Sequence, residues 1–99
     1  MERQVWKYSL AVETRQDVMM PKGARVLTVQ VQQGQPCVWA LVDPHTDPDD
    51  YWPVTLCTYG TGHPMPGDPG EYVGTFQLSG GALVFHVFAH QRAESAGVS

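Results

Sequence analysis

The residues of this chain best suited to hold a ligand lie together in Tyr59-Gly60-Thr61-Gly62-His63. Two glycines let a backbone approach a bound group closely, and amides exposed between them can form a concave nest for an anion. Thr61 adds a hydroxyl, and His63 adds a ring nitrogen that can donate or accept a hydrogen bond. The block lacks the Gly-Lys-Ser/Thr ending of a phosphate-binding loop, and no helical pattern follows it. A phosphate held here needs cations, so Lys22 and Arg25 matter only if the fold carries them to the Gly60–Gly62 turn. The plainer reading is a strand ending in a glycine-rich turn, with His63 facing solvent. Tyr51 and Trp52, beside an acidic stretch, form an edge that is expected to combine with the Gly60–His63 turn in one contact region. Exposed aromatic residues anchor partners, whereas buried ones would cap the end of the fold.

Metal and catalytic patterns fail on inspection. Asp43-Pro44-His45-Thr46-Asp47-Pro48-Asp49-Asp50 supplies hard oxygen ligands, but an EF-type calcium loop needs Gly at its sixth position and Glu at its twelfth. Those positions hold Pro48 and Val54. His86 and His90 cluster only on a helix; on a strand they stand more than roughly 12 Å apart. His45 and His63 complete no zinc spacing, and Cys37 and Cys57 have no CxxC partner. Both cysteines sit in apolar stretches with no basic neighbour to lower a thiol pKa, so they read as reduced core residues. No nucleophile elbow, HExxH or paired-carboxylate scaffold occurs. No catalytic residue, metal or cofactor is expected.

These residues must be positioned by strands. The chain has 99 residues, the size of one domain, with a hydrophobic content of 42%. Its 8 prolines and 10 glycines interrupt any helical period. Val5–Leu10, Val26–Gln32, Cys37–Val42, Val54–Tyr59, Tyr72–Leu78 and Ala82–Ala89 read as strands. In the second of these, alternation puts Leu27, Val29 and Val31 on one face and Thr28, Gln30 and Gln32 on the other. Turns at Gln33-Gly34-Gln35 and Ser79-Gly80-Gly81 make two hairpins whose second strands, apolar on both faces, are central. Glu13 to Met20 holds at most one short helical turn. The expected fold is therefore all-β, a small antiparallel sandwich or partly closed barrel of five to six strands. Residues 1–91 form the single domain and residues 92–99 a flexible tail.

Charge narrows the partners. The net charge is −4, and no Lys or Arg occurs from Val26 to Gln91, where six carboxylates fall. Nucleic-acid affinity depends on phosphate neutralisation, so that partner is not expected unless the N-terminal basic residues gather on one face. No apolar run spans a bilayer and the N-terminus has no secretory pattern, which points to the cytoplasm. An unpaired apolar sheet face would dock a partner protein, a small ligand or a second copy of the chain.

Several blocks are similar to a known family. Met20-Pro21-Lys22-Gly23-Ala24, Tyr59-Gly60-Thr61-Gly62-His63-Pro64, and Gly74-Thr75-Phe76-Gln77-Leu78 with Gly80-Gly81-Ala82-Leu83-Val84-Phe85-His86-Val87-Phe88 carry the likeness. Together they resemble small uncharacterised proteins of bacteriophages, prophages and bacteria, a domain of unknown function, over roughly residues 4 to 89. The resemblance implies a phage or mobile-element setting in the host bacterial cytoplasm. It brings no activity and no site residues. The expected function is a non-enzymatic accessory module that binds a partner. The alternative is a protein that sequesters a nucleotide-like signal and so counters host defence.

Overall fold

Each hairpin is set by the backbone its turn can adopt. Gln33 and Gly34 both take positive φ, at 52° and 78°. This is the two-residue turn whose twist matches that of the flanking strands. It joins β3 (Arg25–Gln32) to β4 (Gln35–Val42), with Gln32 opposite Gln35. Ser79, Gly80 and Gly81 likewise all have positive φ and join β6 (Glu71–Leu78) to β7 (Leu83–His90). Three further strands occur among the described residues: β1 (Gln4–Ser9), β2 (Arg15–Pro21) and β5 (Tyr51–Gly60). The computed structural model describes residues 2–90. Arg92 and the expected 92–99 tail lie outside them.

The seven strands make two antiparallel sheets, in the orders β1-β4-β3 and β2-β5-β7-β6. They form a sandwich-like all-β fold that is not closed into a barrel. As their apolar content requires, β4 and β7 are interior strands. The expected count of five to six strands is one short, because Arg15–Pro21 is β2 and not a helical turn. Val18 and Met20 point inward from it, while Arg15, Asp17 and Met19 face out. Pairing with β5 supplies the backbone hydrogen bonds that its Gln, Asp and Met residues would not win by propensity. Helical geometry instead appears as two three-residue 3₁₀ turns, Pro48–Asp50 and Ser79–Gly81. Among the described residues, no helix is long and apolar enough to cross a membrane.

The core lies between the inward faces of the two sheets. Leu10, Val38, Ala40 and Val42 from one side meet Met20, Leu56, Val87 and Ala89 from the other, all fully buried. The sheets approach most closely where β3 packs on β6. Both strands carry a bulge there, between Val26 and Thr28 and between Tyr72 and Gly74. The first bulge overturns the expected alternation. Val26 and Val29 are both buried, while Leu27, the extra residue, is turned out and 44% exposed. At the second, Gly74 makes room for the neighbouring sheet, since a methyl group there would fall 2.9 Å from Val29 Cγ1.

Tyr8, on β1, brings a hydroxyl into this interior. The group is buried without a hydrogen-bond partner. Burial raises its pKa above the usual value, and the nearby Tyr51 raises it further. The unfolded chain therefore gives up this proton first once pH passes about 10. From there upward the fold loses stability.

Two outcomes follow for unfolding measured with denaturant. Tyr8→Phe is expected to be neutral or to stabilise the protein by up to about 1 kcal/mol at pH 7, and to flatten the loss above pH 10. Gly74→Ala is expected to destabilise by about 1–3 kcal/mol, because Val29 is packed and cannot swing aside.

Candidate functional site

A cleft opens where the sandwich ends, at the C-terminal end of β5. Its volume is about 390 Å³. The floor is Thr58 and Gly60, which share the inward parity of Val54 and Leu56 on β5, with Phe85 opposite on β7. One wall is Val12-Glu13-Thr14 in the link from β1 to β2. The other is His63, Pro64 and Pro66, beyond β5. The link is held from both sheets. Leu10 N donates to Pro36 O at 2.9 Å, Thr58 N donates to Thr14 O at 3.0 Å, and the Gln16 amide brackets Ala11 N and O. A second depression of about 360 Å³ shares Gly60, His63 and Phe85 and extends to Thr61 and Leu83. Thr58 is 5% exposed, and its hydroxyl is buried with no partner.

The structure places Tyr59, Gly60, Thr61 and His63 around these depressions, with Gly62 in the turn between them but in neither lining, and the block does not form an anion nest. Residues 60–63 form a turn closed by His63 N donating to Gly60 O at 3.0 Å, with Gly62 at φ 84°. Thr61 N donates to Val84 O at 3.2 Å. Two of the amides that an anion would need are therefore engaged by the backbone. The role of Gly60 is steric: a Cβ there would lie 2.9 Å from two atoms of the His63 ring, so the missing side chain lets the imidazole pack on the backbone.

Thr61 turns its hydroxyl the other way. On the outer face of the four-stranded sheet, Thr61 Oγ1 lies 2.7 Å from His86 Nε2, and Thr75 Oγ1 lies 3.0 Å from His86 Nδ1. Tyr72 OH is 2.6 Å from Thr75 Oγ1 and extends the row. A hydroxyl beside an imidazole is the start of a nucleophile–base pair. Here another hydroxyl, not a carboxylate, orients the ring. The row is flanked by Phe88, whose ring meets those of Tyr59 and Tyr72 edge-on.

The other candidates lie elsewhere. Tyr51 and Trp52 are half-buried at the start of β5, nine residues from Gly60 and so about 30 Å away. Lys22 stays with them, its Nζ 5.7 Å from the centroid of the Trp52 ring. Arg25 is exposed on the outer face of the three-stranded sheet, opposite Leu41. Neither cation reaches the Gly60 turn, and Tyr51 and Trp52 do not share a surface with it. The aspartates of the 43–50 loop cap its turns: Asp43 accepts from His45 N and Asp47 from Asp49 N, each at 2.9 Å. The four histidines are dispersed, with His45 on Glu2 and His90 on the Asp68 carbonyl. Among the described residues, no three His, Cys, Asp or Glu side chains gather as metal ligands.

Glu13, Thr14, Thr58 and Phe85 were not among the sequence candidates. Thr58 carried a signal, as the polar residue on the inward parity of an otherwise apolar strand. Glu13 carried none, because its link had no assigned course. Gly60→Ala is expected to push the His63 ring away and change its imidazole NMR signals, with stability altered by less than about 1 kcal/mol. Unchanged imidazole signals would contradict the packing described.

No curated protein and no solved structure matches the chain. A family model described as a domain of unknown function, DUF7352, matches residues 1–97. That span covers nearly the whole sequence, and the chain belongs to the DUF7352 family.

Proposed function

We propose that this protein is a non-enzymatic binding module of a phage or mobile-element accessory set, working in the host bacterial cytoplasm and holding its ligand at the Gly60 cleft. The observation that carries the reading is the cleft itself: about 390 Å³, within the size range of ligand pockets, with mixed polar and apolar walls. The phage setting rests on the similarity of the sequence blocks alone. The Thr61–His86 pair favours binding over acyl transfer, because its imidazole has no carboxylate partner and the nearby turn amides are engaged.

A phosphorylated signal suits this cleft poorly. Among the described residues, no Lys or Arg lines it, and Lys22 and Arg25 are remote. Nucleic acid is disfavoured for a related reason. Lys7 and Arg25 lie on the outer face of one sheet, Arg15 on that of the other, and Lys22 over Trp52. They make no continuous cationic track.

The test is an amide NMR titration against a panel of small neutral, cationic and anionic fragments. Binders are expected to shift the signals of residues 12–14 and 58–63 together. A panel that shifts neither segment, or only the outer sheet faces, removes the cleft from the function.

A further inference from the structure

We infer that the cleft takes an alkylammonium group, a positively charged amine on a short apolar stem, with the Glu13 carboxylate as its counter-charge. The inference rests on the cleft being the binding site and adds the chemistry of its ligand. Three observations on different parts of the molecule point the same way.

Among the described residues, Glu13 is the carboxylate of the cleft lining and no Lys or Arg joins it; Arg15, two residues on, lies on the outer face of the sheet. The Glu13 carboxylate on the rim attracts cations and repels anions. The walls are also suited to a stem. Val12, Pro64, Pro66 and Phe85 offer apolar surface against which methylenes can be removed from water.

The floor lacks a donor. Thr58 Oγ1 is buried and unpartnered, a state that costs the free protein stability. An ammonium has three N–H donors and no acceptor, so it can serve Glu13 and the Thr58 hydroxyl together. That hydroxyl is shielded in the free protein, and the ligand reaches it by displacing His63. The His63 ring is the movable part of the wall, since it packs on Gly60 as the free end of a flexible side chain.

The experiment titrates the intact protein with n-butylammonium, butan-1-ol and butyrate, followed by amide NMR. Butylammonium is expected to shift residues 12–14 and 58–63, with butan-1-ol and butyrate binding at least tenfold more weakly. Glu13→Gln, an exposed change, should weaken butylammonium about fivefold. Thr58→Val should weaken it as well, while leaving the thermal midpoint unchanged or higher. A purely structural hydroxyl would not split binding from stability in this way. Nα-acetyl-lysine amide separates the sources: equal binding assigns the amine to a lysine side chain of a partner, and weaker binding assigns it to a free amine. Equal or tighter binding of the alcohol or the acid at the cleft overturns the inference while the cleft survives as a binding site. So does butylammonium binding that Glu13→Gln leaves unchanged. A titration in which none of the three touches the cleft, while other fragments do, overturns it too. If no compound of any class binds there, the cleft reading falls as well.

Discussion

The approach of β3 to β6 is the contact on which the two-layer arrangement depends. Each sheet has an apolar face that must leave water, and a sheet of three or four strands alone cannot cover it. Closure is achieved by a bulge in each strand and by the absent side chain at Gly74, which admits Val29. Bulges increase local twist, and both fall where the edge strands of the two sheets meet.

The walls of the cleft are held by backbone more than by side chains. Thr58 N to Thr14 O and Leu10 N to Pro36 O fix the β1–β2 link to a strand of each sheet. Gln16 adds a clasp through both amide atoms of its side chain. The facing wall is less constrained. It leaves β5 through a single turn and then passes through Pro64 and Pro66, which lack amide donors of their own. One side of the cleft is therefore firm and the other is able to adjust to what it holds.

Much of this architecture could be read from residue order. Alternation of apolar and polar residues located six of the seven strands, and turn glycines located both hairpins with their central strands. β2 escaped because Gln16, Asp17 and Met19 have no preference for extended structure, so only pairing with β5 makes it a strand. Leu27 was placed on the wrong face because a bulge is a property of two strands and leaves no mark on one. The site was readable in part. Gly60 does mark a place where a side chain packs on bare backbone, but the ring there belongs to the protein's own His63, and Gly62 serves the turn through its positive φ. Neither the engagement of Thr61 N by Val84 nor the arrival of Glu13 from 45 positions earlier than Thr58 can be seen without the fold. The separation of Trp52 from Gly60, by contrast, was implicit in one ten-residue strand.

The row from Tyr72 through Thr75 and His86 to Thr61 has a property of its own. A neutral imidazole donates from one nitrogen and accepts at the other, and each hydroxyl donates a single proton. The four groups can therefore be ordered in two opposite senses, and reversing one reverses its neighbours. Whatever fixes the direction of the Tyr72 hydroxyl at the sheet edge also fixes the tautomer of His86 and the lone pairs that Thr61 presents beside the turn. Two strands and the turn after β5 are linked by this polarity, so the outer face can relay which way its protons point without any movement of the backbone.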